Sequence, residues 1–399
     1  MATTKNIRIK QFNGADYDIL YPETKSSNII DKGVSNGVAS LDTNGKVPVA
    51  QLPQTGVMPQ IIVTTDSGST VTATCGGTTV TGTSNGTCTL NVPTYGTWTV
   101  TATLNGNTAS TNVEIDTVKQ YSVLLKYIDR TLNNNSWADI HSVSATGANY
   151  WAVGDRKAVS LSGTVGTLSV SGTYYVFILG FNHNSSMEGN GIHFGGFKTA
   201  LSGGSDICLV DSKYNSNSTD GGKYFNMNHS SNTNTGGWQG CDLRYDVLGS
   251  VNSKGTQNAA ATTATNPVSN TLIAALPSDL RSVMQPMTKY SDNTGGGNDT
   301  ASYVGTTIDY LPLLAEFEIF GTRTSANSTE KNYQVQYAYF ANGNSKVKYK
   351  HNDTATSAFW WERSVSSSYP TTFCLVNPTG NAYYNYAWSS IGISPAFKV

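Results

Sequence analysis

The chain has 399 residues, of which only 13% are charged and 10% aromatic, and its formal net charge is −1. That balance excludes the basic field that draws proteins to nucleic acid or to anionic membrane surfaces. The charge missing relative to the ~25% of an average soluble protein is replaced by Gly, Ser, Thr and Asn. With 22 Tyr and 7 Trp the chain is too aromatic to read as disordered, and Tyr, Trp, Ser, Gly and Asn together make the composition of binding loops. No apolar run reaches the ~18 residues of a membrane span, so no membrane insertion is expected. Residues 1–20 lack the apolar core of a signal peptide. The expectation is therefore a chain folded in a reducing cytoplasm, with its five cysteines as free, mostly buried thiols; Cys75 and Cys88 could still face each other across a hairpin.

In chain order, residues 1–57 show little hydrophobic periodicity. They end in a stretch from Lys32 to Pro53 punctuated by Gly33, Gly37, Gly45, Pro48 and Pro53, where no long helix or strand is expected. This part reads as a linker, or as an attachment segment that orders against partner chains. Residues 58–118 alternate Val and Ile with Thr and Ser, with Gly-Gly and Asn-Gly turn signals every 8–12 residues. Period-two alternation with such turns predicts a small antiparallel sandwich with Trp98 and Tyr95 in its core.

Residues 119–399 read as one large domain. Residues 136–147 predict a short helix capped by Asn135 or Ser136. Strands are expected at KAVSLSG, TLSVSG and YYVFILGF. Residues 269–284 carry helical spacing that Pro277 either breaks or restarts. The segment Tyr310 to Gly321 reads as buried and delivers Glu316 and Glu318. Short strands return from Ser357 to Val399. Strands bracketing a few helices predict an α+β domain. Trp360 and Trp361 should point to opposite faces of one strand, and Arg363 should form a buried bridge with Glu316 or Glu318. Arg244 is expected to do the same with Asp242 or Asp246.

Two sets of motifs carry a resemblance. GVSNGVASLDTNGKVPVAQLP (Gly33 to Pro53) and FNGADYDILYPET (Phe12 to Thr24) resemble segments of phage tail-fibre proteins. In the third part, the run Trp360, Trp361, Arg363, Ser364, then Phe373, Cys374, Val376, Gly380, then Gly392, Pro395, Ala396, Phe397 resembles an uncharacterised domain of phage and prophage tail proteins. That pattern is in turn similar to the C-type-lectin-like fold, in the version shared by formylglycine-generating enzymes and phage variable receptor-binding proteins.

The resemblance implies a multidomain virion protein assembled in the host cytoplasm: an extended tail-attachment segment (1–57), an immunoglobulin-like spacer (58–118) and a C-type-lectin-like receptor-binding domain (119–399). Its partners would be tail or baseplate proteins at the N-terminus, two sister copies in a homotrimer, and a bacterial surface glycan or protein at the C-terminal loops. Those loops hold the candidate contact residues Tyr369, Asn377, Asn381, Tyr383, Tyr384, Asn385, Tyr386, Trp388 and Ser389. The loop from Tyr214 to Trp238 is a second candidate face. Some receptor-binding proteins of this fold are diversified by retroelements acting chiefly on Asn codons; Asn377, Asn381, Tyr383, Tyr384, Asn385, Tyr386 and Ser389 are residue types that suit that process.

Signals for catalysis are weak. The five histidines lack paired metal spacing. His183, Asp206, Asp211 and His229 would need to converge in space to matter. Asp292 to Asp299 is Gly-rich and acidic but lacks the EF-hand ligand spacing, and no GxSxG elbow or P-loop occurs. No cofactor or metal is expected. The enzymatic rival is a polysaccharide depolymerase using Glu316 with Glu318, or Asp206 with Asp211; the structural rival is a virion spacer or decoration protein without a ligand.

Overall fold

The structure is a computed structural model. It describes residues 58–165, 168–209, 223–229, 231–260, 262–351 and 353–399, together with residues 9–12, 17–20, 43, 46, 47, 219 and 220. The chain divides into two compact units, residues 1–127 and 128–399.

In the first unit, the alternation of apolar and Thr residues produces strands with one buried face. Gln60–Thr64, Thr87–Asn91 and Gln120–Leu124 form a three-stranded sheet; Thr70–Cys75, Thr78–Thr83, Gly96–Leu104 and Asn107–Ile115 form a four-stranded one. Ile61, Val63, Val71, Leu90, Trp98 and Val100 close a common core, with Tyr95 packed at its margin. Trp98 is fully buried, and its indole N–H donates to the Thr94 carbonyl at 3.0 Å. On the opposite face the threonines meet polar partners across the strands, such as Thr99 with Asn112 at 3.0 Å. The Asn105–Gly106 pair has φ of 49° and 83°, the left-handed values that a tight hairpin turn demands. Cys75 and Cys88 are both free thiols.

One pairing departs from the expected antiparallel pattern: Gln60–Thr64 runs parallel to Gln120–Leu124. That last strand lies beyond residue 118, and the unit extends to Tyr127. Of residues 1–57, Ile9–Phe12 and Tyr17–Leu20 pair antiparallel; apart from residues 43, 46 and 47, the Gly33 to Pro53 motif lies outside the described residues.

The second unit is mainly β. Its largest sheet has seven strands, in the order Arg156–Leu161, Gly172–Phe181, Ile192–Lys198, Asp206–Cys208, Lys348–Lys350 and Asp353–Ala358, with Ala396–Lys398 also on Ile192–Lys198. Met287–Asp292 pairs with Val304–Asp309. A three-stranded sheet joins Trp360–Val365, Thr372–Val376 and Ala382–Tyr386.

The helices are short, so strands outweigh helix more than the α+β expectation implied. Trp137–Ser142 starts at Ser136, whose hydroxyl accepts from the Asp139 N–H while Asp139 bonds back, a capping box. The expected helical stretch around residues 269–284 forms two single turns, Leu272–Ala275 and Ser278–Arg281, with Pro277 at the start of the second. Trp361 joins the main core with Trp137, Phe194 and Trp238. Trp360 joins a second cluster with Phe177, Leu179 and Tyr337. The two tryptophans therefore knit two separate cores to one strand, as strand alternation requires. Among the described residues no helix is long and apolar enough to cross a membrane.

Candidate ligand-binding face

The three-stranded sheet of the second unit separates sharply into inside and outside. Every residue of Trp360–Val365 and of Thr372–Val376 is buried. Ala382–Tyr386 lies at the sheet's edge, and none of its residues is fully buried. The exposed large side chains concentrate here: Tyr369 is 47% exposed, Tyr383 51%, Tyr386 53% and Trp388 42%. Tyr384 is half-buried between two of them. Its ring lies 5.1 Å from that of Tyr369 and 5.3 Å from that of Tyr383, the latter pair inclined by only 6°. The neighbouring Tyr369 phenol raises the Tyr384 phenol above its ordinary pKa.

The polar candidates have a different role. The Asn377 side chain accepts from the backbone N–H groups of Thr379 and Asn381 at 3.0 Å each, closing the turn before the edge strand. Asn381 donates to the Thr379 hydroxyl at 3.1 Å. Asn385 accepts from the Tyr386 N–H at 2.7 Å and meets the Ser389 hydroxyl at 3.4 Å. These four shape the hairpin that displays the rings.

A residue that sequence reasoning did not single out pins the display. Asn234 is wholly buried, and its side-chain amide donates to the carbonyls of Tyr369 at 3.0 Å and Thr372 at 2.9 Å. Its backbone N–H donates to the Pro370 carbonyl at 2.8 Å. Asn226 likewise donates to the Trp388 carbonyl at 2.9 Å. The described part of the Tyr214 to Trp238 segment thus supports the aromatic face from behind; Tyr214 to Ser218 lie outside the described residues.

Beneath the sheet lies a buried ionic network. The Glu316–Phe320 helix turns Glu318 inward. Arg363 donates to Glu318 at 2.8 Å, to the Leu313 carbonyl at 2.9 Å and to the Ser291 hydroxyl at 2.9 Å. The Lys289 ammonium bridges Glu188 at 2.7 Å and Glu318 at 3.0 Å, and reaches the Tyr337 hydroxyl at 3.1 Å. Burial alone pushes the Glu318 carboxyl up, but Arg363 and Lys289 outweigh it and hold the group below the usual carboxylate range. His183 stacks on Tyr337 at 3.6 Å, and burial beside Lys289 depresses it to about 3, so it is neutral. Arg363 therefore takes Glu318 of the two expected partners. Lys289, Glu188 and Tyr337 join from segments far apart in sequence, with no local signal to mark them.

One expected pairing is corrected. Arg244 bonds Asp309 at 2.7 Å rather than Asp242 or Asp246. Both of those stand two residues away on one helical turn, where side chains diverge; Asp242 instead faces His229 at 2.9 Å. His183, Asp206 and His229 do not form one site, since Asp206 pairs with Lys348 at 2.7 Å and the other two are engaged as above. Asp211 lies outside the described residues. Glu316 and Glu318, put forward as hydrolytic carboxylates, are wholly buried. In the Gly-rich acidic stretch, Asp292 accepts from the N–H groups of Thr294 and Gly295, and Asp299 pairs with Arg323; both act as loop anchors.

Residues 209–399 match a family described as a domain of unknown function, DUF6273. The match takes in the whole aromatic face, Asn234, Lys289, Glu318 and Arg363. Glu188 and His183 lie before it. No curated protein matches the chain.

Proposed function

We propose that this protein is a non-enzymatic adhesin whose C-terminal aromatic face binds a bacterial surface glycan, within a virion tail fibre. The observation that carries the reading is the cluster of large, partly solvated rings formed by Tyr383, Tyr384 and Tyr386 on an edge strand beside a fully buried one, with Tyr369 and Trp388 in the flanking turns. Exposed rings held in place offer stacking area at little entropic cost, and Asn234 and Asn226 remove the freedom their loops would otherwise lose on binding. The tail-fibre setting rests on the resemblance of Gly33 to Pro53 and Phe12 to Thr24 to tail-fibre segments. The immunoglobulin-like and C-type-lectin-like assignments of the two units, the homotrimer and the attachment to tail proteins belong to the same proposal. Several weak sites on one fibre would give avid adsorption.

The test is adsorption of the fluorescent full-length chain to a panel of bacterial cells, before and after periodate oxidation of their glycans. The Tyr383→Ala, Tyr386→Ala, Trp388→Ala triple variant is run alongside, with sedimentation of both proteins. Periodate-sensitive binding lost in the variant supports the proposal. Binding that survives periodate but not protease shifts the receptor to a protein. Intact binding with altered sedimentation would make the face a subunit seam instead.

A further inference from the structure

Among the described residues of the second unit, three groups of acidic, histidine or cysteine side chains bring ligand atoms close together: His183 with Glu188 and Glu318, His229 with Asp242 and Asp246, and Glu316 with Glu362 and Cys374. The first already holds a cation, because the Lys289 ammonium sits on both carboxylates. In the second, Lys254 pairs with Asp242. The third has no such occupant: among the described residues neither Glu316 nor Glu362 forms an ion pair.

Glu362 is the anomaly. It is wholly buried, and neither carboxylate oxygen has a hydrogen-bond partner. A buried carboxylate without donors is among the least stable arrangements in a protein interior. The nearby charges worsen it. Glu316 and Glu330 are also wholly buried, while Arg363 is committed to Glu318. Burial first, then Glu316 and Glu330, push the Glu362 carboxyl well above its ordinary pKa. Cys374, on the neighbouring strand, is wholly buried and its thiol is likewise pushed up, by burial and then by Glu316.

We infer that Glu316, Glu362 and Cys374 form a buried site for a thiophilic divalent cation of the zinc type. One ligand atom of each lies within 4.8 Å of the other two. A zinc ion bonds oxygen and sulfur at about 2.0–2.3 Å, so its ligands stand roughly 3.5 Å apart and the three need only a small contraction. Glu362 brings two unengaged oxygens. Glu316 is oriented by N–H donation from Ser325 at 2.9 and 3.0 Å and from Ala326 at 3.4 Å, the outer support that metal carboxylates use. The thiol selects against calcium and magnesium, which take oxygen ligands. On binding, Cys374 and any protonated carboxyl release their protons to solvent and the cation takes their place. The site links the Glu316–Phe320 helix to two strands, and Cys374 lies directly opposite Tyr384 in the sheet. The ion would thus brace the inner strand on which the aromatic edge strand pairs.

The experiment uses full-length protein produced in minimal medium with cobalt(II) as the added transition metal. The expected result is about one thiolate-bound cobalt per chain, seen as near-ultraviolet sulfur-to-cobalt absorption that zinc displaces. Cys374→Ser should abolish the band, and Glu362→Gln should cut cobalt occupancy at least about tenfold with an unchanged near-ultraviolet circular dichroism fold signature. A wild-type chain without the band, or a band that survives Cys374→Ser, overturns the site. Glu362→Leu gives the second decision. A rise in Tm with no metal dependence would show that the cluster holds protons, whereas loss of a zinc-dependent Tm increment supports the ion.

Discussion

Replacing Arg363 by Met tests the buried ionic network most directly. The wild-type cluster balances two cations, Arg363 and Lys289, against two carboxylates, Glu188 and Glu318. The variant loses the bonds to Glu318, Leu313 and Ser291 and leaves two buried carboxylates sharing one ammonium. Breaking a buried pair by removing one partner costs about 3–5 kcal/mol, a large share of the 5–15 kcal/mol that holds a domain together. The double variant Glu318→Met, Arg363→Met restores balance, since Lys289 keeps Glu188. It should therefore be more stable than Arg363→Met alone by roughly 2 kcal/mol, on the same reasoning that apolar replacement of a whole pair is well tolerated. Urea unfolding followed by tryptophan fluorescence measures this in a Trp98→Phe background, where every remaining tryptophan belongs to the second unit. An Arg363→Met protein within about 1 kcal/mol of wild type, or a double variant weaker than the single one, would refute the charge-balance argument.

Three further outcomes follow from the structure. Glu330 is buried and its carboxyl is pushed up to about 7 from 4.5. The folded state thus keeps a proton that the unfolded chain releases, and stability falls as pH rises through that window, by about 3 kcal/mol; Glu330→Gln should remove this component, and equal urea midpoint differences between pH 5 and pH 8 in both proteins would disprove it. Gly297 has φ of 70°, and an added Cβ would lie 2.7 Å from the Pro370 nitrogen; Gly297→Ala should cost more than about 1 kcal/mol, read by Tm, and under the proposed adhesin function it should also weaken cell adsorption by shifting Tyr369. Trp98→Ala should destabilise the first unit by about 3–5 kcal/mol, and calorimetry should show the second unit's transition unmoved.

Local chemistry was readable in advance and long-range partnership was not. The Val and Thr alternation marked the strands of the first unit, and Asn135 and Ser136 marked a helix start, because those signals lie within a few residues. Adjacent residues of a buried strand divide between its two faces, so Trp360 and Trp361 were also legible. The parallel strand Gln120–Leu124 was not, because its partner begins 60 residues earlier. Arg244 illustrates the same limit: near carboxylates looked adequate, yet the helical turn sends it to Asp309. Asn234 gave no sign at all, since a buried amide that braces a loop looks in sequence like any loop asparagine.

The contrast between Thr372–Val376 and Ala382–Tyr386 has an evolutionary consequence. The inner strand fills the interior, so most changes there leave cavities or misfits. The outer strand is anchored through its backbone ladder to that neighbour, and its rings contribute little to the interior. Substitutions at half-exposed positions generally shift stability by no more than about 0.5 kcal/mol. The exposed rings can therefore be exchanged one at a time at this edge while the risk to folding stays confined one strand away.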